Sequence, residues 1–232
     1  MCWMVALGLA ALLAAVAPAV ARPALESRPA IDETLSAEPE APFWQGAPGV
    51  FAEGDVFGAA LPVLRTEIRS RWSATTLYLL YVCPYNELNL KLNPDRVRET
   101  MSLWNWDVAE AFLAGDMAHP ERYREFEVSP QGEWVDLDID PRKSKWGDPG
   151  WNSGFHVAAR IDEAHHLWYG AMAIPWAALI DGAPKAGLEL RANFYRLQGP
   201  PPYRALIAWQ PTGKASFHVP EAFGVLRLVG GP

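Results

Sequence analysis

The sequence predicts an all-β fold, a β-sandwich of two antiparallel sheets of jelly-roll or immunoglobulin-like type with short helical insertions, and three observations predict it. About nine or ten segments either alternate apolar and polar residues or run apolar on both faces, with turn signals roughly every 8 to 12 residues. The stretch Leu103 to Leu113 (LWNWDVAEAFL) writes two faces at a period of two, with Trp104, Trp106, Val108, Glu110 and Phe112 on one and Asp107, Ala109, Ala111 and Leu113 on the other. The chain has 232 residues, a length that β-sandwiches commonly reach as one domain.

Residues 1–21 carry an apolar run from Val5 to Val16 and a small-x-small pattern, Ala19-Val20-Ala21, ahead of Arg22. This reads as a secretory signal, and the run is too short for a membrane span. Its removal would take Cys2 and leave Cys83 as the sole cysteine, so no intramolecular disulfide is available and stability must come from core burial. Residues 22–60, rich in Pro, Ala, Glu and Gly, read as an N-terminal arm that docks through Phe43 and Trp44. The domain proper is expected over 61–232.

Pro62 to Trp72 alternates and reads as a half-buried strand, while Thr76 to Cys83 is apolar on both faces and belongs centrally, with Cys83 as a buried small hydrophobe. Pro84 to Ser102 is an insertion with helix-start chemistry at Asn93-Pro94-Asp95, either a wall of a site or a surface loop. Tyr123 to Val128 and Trp134 to Ile139 read as strands joined by a turn at Ser129 to Gly132. Asp136, Asp138 and Asp140 form an acidic row with two readings, a calcium site or a solvated edge strand. Trp146 and Trp151 lie in or beside a Gly-rich loop, exposed or folded over an edge. Phe155 to Ile161 and Leu167 to Ile174 form a hairpin whose His165-His166 pair reads as a solvated turn rather than a metal site. Pro175 to Ile180 makes a short helical turn, and strands resume at Glu189 to Gln198, Tyr203 to Gln210 and Phe223 to Val229.

Composition narrows the function. The formal net charge is -7 with no Lys/Arg cluster, which argues against nucleic acid and anionic membrane surfaces as partners. Eleven tryptophans favour ligand-facing aromatics. On the Trp104 face, large aromatics joined by one carboxylate suit an apolar-faced, hydroxyl-bearing ligand such as a sugar; the competing reading has both tryptophans filling the core and Glu110 paired with an arginine. The chain has no Gly-x-Ser-x-Gly, no cysteine with an activating partner and no zinc motif, so catalysis is not expected.

Five motifs occur in one order: Trp104-x-x-Asp107-x-x-Glu110-x-Phe112, Ala173-Ile174-Pro175-Trp176, Asn193-Phe194-Tyr195-Arg196, Ala208-Trp209-x-Pro211 and Pro220-x-x-Phe223-Gly224. From about residue 30 to the C-terminus this order resembles carbohydrate-binding modules of family 9, within the wider group of DOMON-like β-sandwiches. The resemblance implies a non-catalytic protein that clamps a sugar between two aromatics while a glutamate, an arginine and amides bind its hydroxyls, and the signal-like segment makes it an exported one, secreted or periplasmic. Carried over by position, Trp104 is the first aromatic and Glu110 the glutamate. Phe217 stands where the second aromatic is normally tryptophan, Gly213 where an asparagine sits, Tyr195 in place of an amide and Glu127 at the arginine position. Arg196 or Arg124 is the candidate replacement cation. The candidate site is therefore Trp104, Glu110, Phe217, Tyr195, Arg196, Trp106 and Asn193. No catalytic residue, resident metal or cofactor is implied, with calcium as the open alternative, and the expected state is a monomer with a carbohydrate ligand. The alternatives are an accessory module or protein of a glycoside hydrolase system in carbohydrate catabolism, a haem-binding domain using Met101, Met117, Met172 or His156, and a protein-interaction domain.

Overall fold

The structure, a computed structural model, describes residues 22–143, 147 and 150–230. The expected signal segment, 1–21, and Trp146 lie outside the described residues. Thirteen strands occur among those described: β1 (Ala24–Pro29), β2 (Gly49–Ala52), β3 (Gly54–Asp55), β4 (Thr66–Trp72), β5 (Thr76–Pro84), β6 (Val108–Ala114), β7 (Tyr123–Val128), β8 (Trp134–Ile139), β9 (His156–Asp162), β10 (Leu167–Pro175), β11 (Glu189–Gln198), β12 (Ala205–Ala208) and β13 (Gly224–Leu228). Helical structure is confined to single tight turns, and no helix among the described residues is long and apolar enough to cross a membrane.

The class is all-β, but the strands do not separate into two independent sheets. They form one hydrogen-bonded path, β8-β7-β6-β11-β13-β1-β4-β5-β10-β9, with β12 and β3 attached beside β11 and β2 beside β4. The path curls until the β7 end meets β9 and β10, which makes the sheet barrel-like and nearly closed. The cause is β1. Ala24 to Ser27 pair in parallel with β13, then Arg28 and Pro29 pair in parallel with β4, so one strand changes partner part-way along and joins the two halves. Residues 22–60, expected as an arm, thus supply three strands, one of them the joint. Their composition hides this because β1 is short and mixed, ALESRP.

The small side of β6 faces the interior as its period predicts. Ala109, Ala111 and Leu113 are fully buried in the main core with Leu79, Tyr81, Trp168 and Met172 from the opposite half. Tyr81 crosses this interior to donate a hydrogen bond from its hydroxyl to the Glu110 carbonyl at 2.8 Å. β5 lies between β4 and β10, central as expected, and burial pushes the Cys83 thiol up to about 12. Trp44 is 1 % exposed and donates to the Ser36 carbonyl, and Phe43 packs edge-on against Tyr78, so the chain does dock there.

Several local expectations are corrected. The strand expected from Pro62 begins only at Thr66, because Pro62–Leu64 forms a tight turn. Asn93-Pro94-Asp95 starts no helix: Asp95 Oδ1 accepts from the amides of Val97 and Arg98, but the chain then continues as bends. A capping contact without an apolar stripe to bury does not propagate. The acidic row is not solvated. Asp136 is buried and accepts from the Ser153 amide and hydroxyl, Asp138 pairs with Arg124 and Lys143, and Asp140 pairs with Arg142. Arg142 holds Asp140 well below the usual carboxylate range. No cluster of three His, Cys, Asp or Glu side chains arranged to hold a metal ion occurs among the described residues.

After β6, Gly115 passes so near the next segment that an added Cβ would lie 2.0 Å from the Leu179 carbonyl oxygen. Gly115→Ala is expected to destabilise the protein by about 2 to 3 kcal/mol through overpacking against backbone. Its chemical denaturation midpoint should fall accordingly, and an unchanged midpoint would contradict this close approach.

Candidate functional site

The opposite face of β6 builds the site. In the antiparallel register Glu110 stands between Tyr195 of β11 and Glu127 of β7, and Phe112 stands between Asn193 and Glu125. Glu127 is in turn opposite Val135 of β8, and Glu125 is opposite Leu137. Directly paired residues share a face, so three carboxyls and several aromatics converge over one patch of sheet. Phe112 stacks on Tyr123 with ring centroids 5.1 Å apart. Two loops rise over the patch, the turn Leu103–Asn105 carrying Trp104 and the segment after β12 carrying Phe217 and His218. Between them is a cavity of about 390 Å³, lined by Trp104, Glu110, Glu125, Leu206, Phe217 and His218 among others.

Trp104 and Trp106 reach this region differently from expectation. The strand does not start until Val108, because Ser102 adopts a left-handed φ of 62° and the Asn105 and Trp106 amides bond back to the Ser102 and Leu103 carbonyls. Trp104 lines the cavity. Trp106 does not: it packs at the edge of the cluster, with Lys91 Nζ 5.9 Å from its ring centroid and its carbonyl accepting from Arg204.

Phe217 is held from behind. Its ring stacks on Tyr195 at 4.2 Å with 12° between planes, and the Tyr195 hydroxyl donates to the Phe217 carbonyl at 2.9 Å. Asn193 Nδ2 donates to that same hydroxyl at 2.7 Å and to the Gln210 carbonyl at 2.9 Å. Tyr195 and Asn193 are both buried, and the structure gives them the work of fixing Phe217 rather than lining the cavity.

Arg196 is not in the site. It follows Tyr195 on a strand, so it points to the other side, where it is fully buried with Thr66, the Pro84 carbonyl and Gln198 as acceptors. Arg124 also turns away, pairing with Asp138 and stacking on Trp151 at 4.8 Å. The cation that acts on the site is Arg204, just before β12, which favours the ionised forms of Asp107, Glu110 and Glu127. Sequence reasoning missed Arg204, Glu125 and His218. The alternation in Tyr123-x-Glu125-x-Glu127 was a readable sign that the two glutamates share a face, but only the register puts them beside Glu110.

Burial dominates the electrostatics. Glu110 is 2 % exposed, and burial followed by the neighbouring Glu125 holds its carboxyl well above the usual range, with Arg204 opposing. Glu127 is fully buried and is raised in the same way, by burial and then by Glu110 and Glu125. Burial raises Glu125 to about 7. Burial also lowers His218 to about 4, so its imidazole is neutral near pH 7, with Nδ1 2.6 Å from the Tyr123 hydroxyl. Just before β6, the fully buried Asp107 accepts from the Asn89 and Gly199 amides at 3.2 and 2.7 Å, tying the 84–102 insertion to the β11–β12 loop, and burial raises it to about 6.

No family model matches the chain. An extracellular protein of Arthroderma benhamiae is 28 % identical over 186 residues, covering 72 % of this chain and 80 % of that protein. The human UPF0462 protein C4orf33 is 28 % identical over 75 residues, covering 32 % of this chain and 34 % of that one. Among solved structures, a proposed carbohydrate-binding protein of Bacteroides uniformis superposes with a TM-score of 0.71 at 16 % identity, covering 90 % of this chain and all of that one. Two structures of family 9 carbohydrate-binding modules from Caldicellulosiruptor kristjanssonii, one in complex with glucose and one with cellotriose, superpose at TM-scores of 0.66 and 0.67 with 12 and 13 % identity, each covering 90 % of this chain and respectively 97 and 95 % of those chains. In fold, this chain is a domain like the family 9 carbohydrate-binding modules.

The raised Glu125 carboxyl makes stability depend on pH. The unfolded chain ionises this group from its ordinary 4.5 upward while the folded chain keeps it protonated to about 7. Its contribution therefore turns unfavourable as pH rises through that window and then levels off. Glu125→Gln is expected to raise the melting temperature relative to the parent at pH 8, with the gap closing towards pH 4.5. Scanning calorimetry across that range checks this, and a gap that widens on acidification would reverse the assignment.

Proposed function

We propose that this chain is an exported, non-catalytic carbohydrate-binding protein that holds a sugar in the cavity between Trp104 and Phe217. The observation that carries the reading is the cavity's lining: two aromatic side chains from separate loops over a floor of Glu110 and Glu125. Aromatic faces withdraw the apolar faces of a sugar ring from water, and carboxyls bind its hydroxyls by hydrogen bonds worth about 1.5 to 3 kcal/mol each when charged. The fold likeness to modules solved with glucose and cellotriose supports the same reading, and the extracellular relative is consistent with export.

The reading is non-catalytic because Glu110, Glu125 and Glu127 are neighbours on one sheet surface, whereas carboxyls that cleave a glycosidic bond must flank it. Two wider grooves, of about 690 and 740 Å³, lie beside β9 and beside the Gly115 and Ile180 segments. They are weaker candidates. The aromatics of the first, Trp134 and Phe155, are already packed edge-on against each other at 5.6 Å, and Arg124, Asp138, Asp140 and Arg142 in the second are engaged in ion pairs.

Calorimetric titration with neutral mono- and oligosaccharides tests the proposal. Binding in the micromolar to millimolar range, roughly -8 to -4 kcal/mol, is expected. Trp104 is only partly buried, so Trp104→Ala should abolish the heat with little change in melting temperature. Unfolding of that variant, or unchanged binding, would return Trp104 to a packing role.

A further inference from the structure

The carboxyls in the floor of the cavity exceed what a neutral sugar needs. Glu125 is 4 % exposed and lines the cavity, yet its buried Oε2 meets no nitrogen or hydroxyl donor among the described residues, and its carboxyl partner is Glu127 beside it, a second acid with which it shares a hydrogen bond and which brings no positive charge. The groups facing this floor come from every neighbouring element. β6 brings Glu110, β7 brings Tyr123, Glu125 and Glu127, β11 brings Tyr195, and β8 brings the apolar Val135, Leu137 and Ile139. His218 hangs over the cavity from its loop, and Asp107, fully buried and outside the cavity lining, adds its charge near Arg204. Arg204 is the cation that offsets Glu110 and Glu127, and its guanidinium already donates to the Trp106 carbonyl.

Resting on the sugar-binding reading of this same site, we infer that the preferred ligand is a sugar bearing a free, positively charged amine, a deacetylated amino sugar, whose ammonium is received by Glu125 and Glu110. A hydroxyl arriving there can share a proton with a neutral carboxyl, but an ammonium supplies both the donors and the charge that a buried carboxylate lacks. Hydrogen bonds between ionised partners are about twice as strong as neutral ones. An acetylated amine carries neither the charge nor the compact set of donors. The aromatic walls remain free to cover the ring's apolar faces, so the two features act on different parts of one ligand. Binding the ammonium displaces the proton that Glu125 otherwise retains below about pH 7, and that proton passes to the buffer.

The experiment is calorimetric titration of the purified protein with glucosamine, glucose, N-acetylglucosamine and cellotriose. Glucosamine is expected to bind at least about tenfold more tightly than glucose or N-acetylglucosamine. It should also release protons, read as a difference in heat between buffers of different ionisation enthalpy, and it should keep its preference in about 0.5 M salt because the carboxyls are buried. In Glu125→Gln the preference should collapse to within about twofold. Glucose or cellotriose binding as tightly as glucosamine would overturn the amine selectivity and leave sugar binding standing. A preference that vanishes in salt or survives Glu125→Gln would also overturn it, since the amine would then be felt by the overall negative charge and not by this floor. Silence with every sugar from a folded sample would overturn both readings.

Discussion

The architecture depends on one strand that serves two masters. β1 pairs with β13 over its first residues and with β4 over its last, and both pairings are parallel. Parallel neighbours cannot be joined by a tight turn, so each pairing fixes strands that are distant in sequence, one near the start of the chain and one at its end. The hydroxyls of Ser27 and Ser70, 2.8 Å apart and fully buried, mark the crossing from one half to the other. Once the halves are joined, the interior between them fills with small residues from β6 against large ones from β5 and β10, and Gly170 shows how tightly: a Cβ there would come within 2.9 Å of Val128 and Trp168.

That dense interior frees the other face of β6 for a different use. A strand whose inner side is already buried can carry polar groups outward at modest cost if water reaches them. Here loops close over that outer face as well, and every residue of β6 is buried. The price is three carboxyls in a setting that penalises their charge. Burying an unpaired charge is among the costlier things a fold can do, and proteins tolerate it where a ligand or a proton completes the site. The arrangement is tuned by what surrounds it, with Arg204 opposing the desolvation of Glu110 and Glu127 while His218 is kept neutral.

Precision in the aromatic wall comes from residues that never meet the cavity. Asn193 orients the Tyr195 hydroxyl, Tyr195 holds the Phe217 backbone by that hydroxyl and its ring by stacking, and Asn193 also receives the Gln210 amide at 3.0 Å. The motif Asn193-Phe194-Tyr195-Arg196 is thus divided by strand alternation. Asn193 and Tyr195 serve the site, whereas Phe194 and Arg196 serve the core between the halves. Strand alternation is the reason that Tyr195 and Arg196, both expected in the site, point to opposite sides of the sheet.

What the sequence by itself determined is whatever depends on neighbours along the chain. Period-two patterns settled the all-β class, the boundaries of β7 and β8, the small inner side of β6 and the joint membership of Glu110 and Phe112 in its outer face. Local turn chemistry marked most loop positions. What only the tertiary structure decided is whatever depends on which strand lies alongside which. Cross-strand register, and not spacing in sequence, puts Glu125 and Glu127 next to Glu110 and joins the early strand β1 to the late strand β13. It also decided that Trp104 enters from a tight turn and that the cation beside the carboxyls is Arg204 instead of Arg196. The physical reason is that side-chain alternation is a local property of an extended backbone, whereas register is set by burial summed over the whole core.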